Sequence, residues 1–217
     1  MRKFRYVVLV TVFLLAFSFA AAADPIIANT TITFGTGGCG NCIVFPGGAT
    51  IMSVNNTGNT TVTGVGGVPQ INITLNPGET SNITLGVFQV TSTSSASLGS
   101  SPSFNGAQVF VRVTLTTPGP LSQIFSGTLA GTANQTASGL EITWNATPLT
   151  FTLPGGNILS LKIEPTTLIN APTGNSTQSQ IRGTGGLSQA PEPATLVLLG
   201  LGTSVLFGRI RRKFRRG

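Results

Sequence analysis

The chain contains no histidine, and this one absence removes Ser-His-Asp and Cys-His nucleophilic sites, His-ligated zinc and the usual neutral-pH general base together. Cysteine is limited to Cys39 and Cys42, tryptophan to Trp144, and acids to Asp24, Glu79, Glu141, Glu164 and Glu192. Positive charge is abundant overall, with a formal balance of +7, but it is almost missing from the middle of the chain. Arg2, Lys3 and Arg5 precede the first apolar run, and Arg209, Arg211, Arg212, Lys213, Arg215 and Arg216 follow the last. Between them only Arg112, Lys162 and Arg182 stand against the five acids, a balance of −2. A nucleic-acid footprint needs Lys and Arg clustered on the folded part, so no nucleic-acid partner is expected and the basic balance reports targeting.

What the middle does have is Thr, Ser, Asn and Gly, a composition that disfavours helices and suits strands joined by tight turns. Alternation is clearest over 108–116, where Val109, Val111, Val113 and Leu115 interleave with Phe110, Arg112, Thr114 and Thr116. The same period recurs over 71–75, 140–145 and 159–163, with shorter candidates at 31–34, 50–54, 60–65, 83–90, 124–129 and 150–153. Turn signals at 55–59, 76–79, 117–120 and 154–157 separate them, Pro presetting φ and Gly tolerating positive φ. About ten short strands at this spacing predict an all-β fold, an antiparallel β-sandwich in the immunoglobulin-like or jelly-roll style. The expected division is residues 1–23, a β domain over 24–170, a flexible linker over 171–190 rich in Gly, Ser, Thr and Gln, and a terminal segment over 191–217. A closing edge strand near 179–182 is the alternative to the linker.

The two ends read as targeting segments. Residues 1–23 follow the plan of a secretory signal peptide: a basic start, an apolar stretch over 6–19, then small residues at Ala20, Ala22 and Ala23 for cleavage. An uncleaved anchor is the alternative, disfavoured by the short apolar stretch. At the other end, Pro191-Glu192-Pro193 precedes an apolar run whose helix is expected at about 194–210. Seventeen residues at about 1.5 Å each reach roughly 25 Å, barely enough to span a membrane. The basic cluster Arg209, Arg211, Arg212, Lys213, Arg215 and Arg216 is expected to act as a stop-transfer signal that stays cytoplasmic, with the β domain on the other side of the membrane.

The ordered combination of Pro191-Glu192-Pro193, an apolar run opening on Ala194-Thr195 with a Leu-Gly-Leu-Gly segment, and an Arg-rich end resembles the PEP-CTERM sorting signal. The resemblance covers about the last 27 residues. It implies that Pro191, Glu192 and Pro193 are substrate residues for an exosortase, a membrane protease-transpeptidase that removes the tail. It further implies a membrane-anchored precursor in a Gram-negative, exopolysaccharide-producing bacterium, which then delivers the protein to the cell surface or medium. The same tail also carries the label of an ice-binding protein C-terminal domain, a name for the anchor that says nothing of ice.

Few residues in the middle offer chemistry. Cys39-Gly40-Asn41-Cys42 is read as a small disulfide pinning a loop in an oxidising compartment. A redox site would want a helix N-terminus, and a zinc site two further ligands; these remain the alternatives. Glu79, Glu141 and Glu164 each read as solvated, so no carboxylate pair for glycoside hydrolysis is expected. Trp144 is expected in the core beside Leu140 and Ile142, with a sugar-stacking platform as the alternative. Eight Asn-x-Ser/Thr triplets, at Asn29, Asn55, Asn59, Asn72, Asn82, Asn134, Asn145 and Asn175, are read as the product of an Asn- and Thr-rich composition. The expectation is a non-enzymatic surface or matrix protein without cofactor or metal. Its processing partners are signal peptidase and exosortase, with exopolysaccharide as its surroundings. A carbohydrate- or ice-binding module using faces such as Thr60-Thr61-Val62-Thr63 is the second reading, and an exported hydrolase the third.

Overall fold

Alternating side chains can bury one face only if a second layer covers it, and the computed structural model of the chain shows how that is done. The structure describes residues 25–37, 39–65, 71–171 and 178–188. Among them it is all-β, with two antiparallel sheets and no α-helix, only a 3₁₀ turn at Leu98–Ser100. The first sheet comprises β1 (Ile26–Gly35), β5 (Ile71–Ile73), β7 (Ser103–Thr117), β8 (Leu121–Thr132), β9 (Leu140–Trp144) and β12 (Thr166–Ile169), in the order β12-β9-β8-β7-β1-β5. The second contains β2 (Cys42–Val44), β3 (Thr50–Asn55), β4 (Gly58–Val65), β6 (Thr80–Ser92), β10 (Leu149–Thr152), β11 (Ile158–Ile163) and β13 (Gln178–Ser188). Its order is β10-β11-β13-β6-β4-β3-β2.

The inner faces share one core. Val109, Val111, Val113 and Leu115 of β7 are fully buried, as their spacing predicts, and meet Ile51, Val62, Leu85 and Leu161 of the other sheet in one cluster. Phe34 and Phe88, from opposite sheets, place their ring centroids 6.0 Å apart. Phe88, Phe104, Phe125 and Phe151 are the largest wholly buried side chains, each worth roughly 1.5–3 kcal/mol against exposure.

The linker expected over 171–190 is corrected over 178–188. That segment is β13, and it is neither a tether nor an edge strand. It lies inside the seven-stranded sheet, pairing with β6 over 178–186 and with β11 over 183–188. The β domain therefore extends past 170 to Ser188. Ser179, Ile181, Gly183, Gly185 and Leu187 point inward, so the period is two, but only two of the five are large and apolar. At Gly183 the neighbouring strand comes so close that a Cβ would sit 2.5 Å from the Lys162 carbonyl oxygen. Glycine is required by that approach, and the hydrophobic signal of a strand is lost with it. Strands β2 and β12, too short to show a period, also lie outside the predicted set.

Candidate functional site

Chain direction gives the domain two distinct ends. At one, the turn after β3, the 93–102 connection and the 133–139 connection are tied by uncharged hydrogen bonds. Asn55 Nδ2 and Thr57 Oγ1 donate to the Ser100 carbonyl at 3.0 and 3.1 Å, and Asn134 Nδ2 donates to Ala96 O at 2.9 Å. Thr60 Oγ1, wholly buried, donates to Ala133 O at 2.9 Å. Among the described residues no buried side-chain nitrogen or oxygen lacks a partner, so these hydroxyls cost the core little.

The opposite end is made of the turns at 74–79, 118–120 and 153–157. The Gly78 amide donates to Leu187 O at 2.6 Å, and the Leu187 amide donates to Glu79 O at 3.2 Å. Ser188 Oγ donates to Ile158 O at 3.2 Å. The Asn76 amide donates to Glu79 Oε2 at 2.9 Å; this bond first, and the Asn76 side chain second, hold the Glu79 carboxyl below its ordinary range. Since Ile26 pairs with Ile73, the chain enters the domain at the same end at which Ser188 leaves it.

Cys39 and Cys42 form a disulfide with 5.4 Å between their Cα atoms. It borders a depression of about 160 Å³ that also touches Ser53, Asn55 and Ser103. Trp144 is buried in the core and its Nε1 donates to Thr167 Oγ1 at 2.8 Å, as a satisfied interior tryptophan requires. Glu79 lies in the turn before β6 and Glu141 on the outer face of β9 in the other sheet. Glu164 follows β11 beside Arg182, in a shallow depression of about 270 Å³. The structure brings no two of these three acids into one element, and no cluster of three metal-ligating side chains occurs among the described residues.

Thr60 is corrected as a surface threonine: it faces inward, and only Thr61 and Thr63 of that run lie on the outer side. A hydroxyl row that sequence reading missed crosses the other sheet, where Thr166, Thr143 and Thr128 are register partners on three adjacent strands, continued by Gln108. All four are exposed and about 4.8 Å separates neighbouring strands. No spacing along the chain could have revealed it, because register is set by the sheet.

Three Asn-x-Thr triplets turn out to be structural. Oδ1 of Asn55, Asn134 and Asn145 accepts from both the amide and the hydroxyl of the threonine two residues on, with hydroxyl distances of 2.7, 3.2 and 2.9 Å. Such turns favour Asn followed by Thr for folding alone.

The targeting residues lie outside the described residues: the signal segment 1–23 with Ala20, Ala22 and Ala23, the box Pro191 to Pro193, the helix expected at 194–210, the basic stop from Arg209 to Arg216, and Asn175. Among the described residues no helix is long and apolar enough to cross a membrane. Residues 189–216 match the model of the PEP-CTERM protein-sorting motif. Neither a curated protein nor a solved structure matches the chain.

Proposed function

We propose, for a chain whose tail is a PEP-CTERM sorting motif and which is therefore an exported, envelope-targeted substrate of an exosortase, that the folded part is a non-enzymatic structural or adhesive protein. It is read as a β-sandwich working at the surface, or in the exopolysaccharide layer, of a Gram-negative bacterium. The observation that carries the reading is the junction of fold and motif: β13 ends at Ser188 and the motif begins at residue 189, so tail removal leaves every strand among the described residues in place. Glu79 in a turn, Glu141 on the outer face of β9 and Glu164 after β11, in a sequence without histidine, support a role without catalysis.

The processing route is signal peptidase at Ala20 to Ala23, transient residence in the inner membrane through the apolar tail, then cleavage at Pro191-Glu192-Pro193. Deleting residues 191–217 is expected to remove the protein from the cell surface, seen by surface proteolysis or antibody labelling of whole cells. An unchanged surface distribution would refute sorting through the tail. The Thr166, Thr143 and Thr128 row favours one second reading, a face that binds carbohydrate or ice. Blank results on a glycan array and in a thermal-hysteresis assay remove it.

A further inference from the structure

We infer that the end of the domain formed by the turns at 74–79, 118–120 and 153–157 is a membrane-facing surface that rests on lipid headgroups while the tail is in place. The inference rests on the sorting reading above and adds an orientation to it. Three observations carry it, and the first is where the chain leaves.

Ser188 ends β13 beside Gly78 and Ile158, and seven residues separate it from Leu196, where the apolar run resumes. At about 3.4 Å per residue those seven reach no further than roughly 25 Å. The headgroup layer accounts for about 5–8 Å of that distance, so the domain is tethered close to the bilayer by this end and no other.

The second observation is where the chain enters. Ile26 pairs with Ile73, placing the start of β1 at the same end, and six residues separate it from Phe19 at the close of the first apolar run. Until signal peptidase removes the first run, both apolar terminal runs thus lead to one end of a two-sheet domain whose other end is closed by the Asn55, Thr57 and Asn134 hydrogen bonds.

The third is the chemistry of the end itself. Its three turns carry Pro77, Pro118, Pro120 and Pro154 and a single charged residue, Glu79, whose carboxylate is already held by the Asn76 amide. Leu121 and Ile158, 38% and 39% exposed, flank the turns. A rim of Pro, Gly and half-exposed Leu and Ile, with Asn76 and Asn157 as its amides and almost no charge, gives up limited polar hydration against an interface and gains apolar contact there. The opposite end exposes Val54 to a similar degree, but its turns are built from hydroxyls and amides, and it points away from the membrane.

The test uses the full chain reconstituted into phosphatidylethanolamine–phosphatidylglycerol vesicles containing brominated lipid, with flotation to show that it is anchored. Trp144 stays as a buried, constant emitter. An added tryptophan at the rim, Leu121→Trp or independently Ile158→Trp, is expected to lose about twofold or more of its emission, since interfacial groups sit about 5–10 Å into the headgroup boundary. Ala137→Trp at the opposite end is expected to be unaffected. A chain that floats with the vesicles yet shows no quenching at either rim position overturns the inference and leaves the sorting reading standing. Quenching equal at 121, 158 and 137 also overturns it. A rim protected only when the processing enzyme is added assigns the surface to that enzyme and removes the lipid as occupant. A chain that fails to float removes the tail as an anchor, and the inference with it.

Discussion

A chain ended at Ala171 is expected to lose cooperative unfolding altogether, whereas one ended at Ser188 keeps the stability of the longer protein. The difference is seventeen residues, of which β13 supplies eleven. Without β13, β6 and β11 each lose a neighbour, and the sheet splits into β10-β11 and β6-β4-β3-β2. The two-stranded remnant is not stable by itself. Backbone groups of β6 and β11 that pair with β13 would face solvent along two new edges, a template for aggregation. Ile181 and Leu187 leave the core, and the bond from the Asn170 amide to Ser179 Oγ, 2.7 Å, which ties the end of β12 to the second sheet, is lost. Circular dichroism and urea unfolding of both truncations, each begun at Asp24, provide the check. A sigmoidal transition in the shorter chain at the same midpoint would show that β13 is dispensable and that the domain ends near 170.

Gly131→Ala is the point substitution with the largest expected effect. Gly131 sits in β8 at φ +104°, a region L-residues avoid, and a Cβ there would overlap the Gly139 carbonyl oxygen. Gly139 cannot simply withdraw, because its amide donates to Thr132 O at 2.8 Å and the connection it closes holds Ala133 O against the buried Thr60 hydroxyl. The strained backbone and the overlap together should cost about 3 kcal/mol, a fall in Tm of roughly 6–12 °C for a domain of this size. Gly155→Ala is the fitting control: its φ is +84°, but a Cβ there meets nothing, so only the conformational part of the cost applies. Equal melting temperatures for the two variants would contradict the crowding argument.

The contrast between β7 and β13 explains how far the sequence is readable. In β7 every inward position from Val109 to Leu115 is a large apolar residue, so the period announces the strand. In β13 close packing against β11 demands small residues at the same kind of position, and Gly183 and Gly185 read as linker although they are core. The hydrogen-bonded end was hidden for a related reason: Asn55, Thr57, Ser94 and Asn134 have the composition of any loop, and only the fold shows that their amides and hydroxyls meet. The Thr166, Thr143 and Thr128 row depends on register between distant segments. The sorting motif was legible because its recognition depends on order along the chain, a box, an apolar run and a basic end, with no folded partner needed.

On the function proposed, the working form of the protein is the β domain, released from both terminal segments after export. Intact mass of the protein recovered from the native host's surface and medium tests this most directly. The expected species begins near Ala23 or Asp24 and ends near Pro191, with β13 retained. A species that keeps the arginine-rich tail would contradict it and make the protein a resident of the membrane.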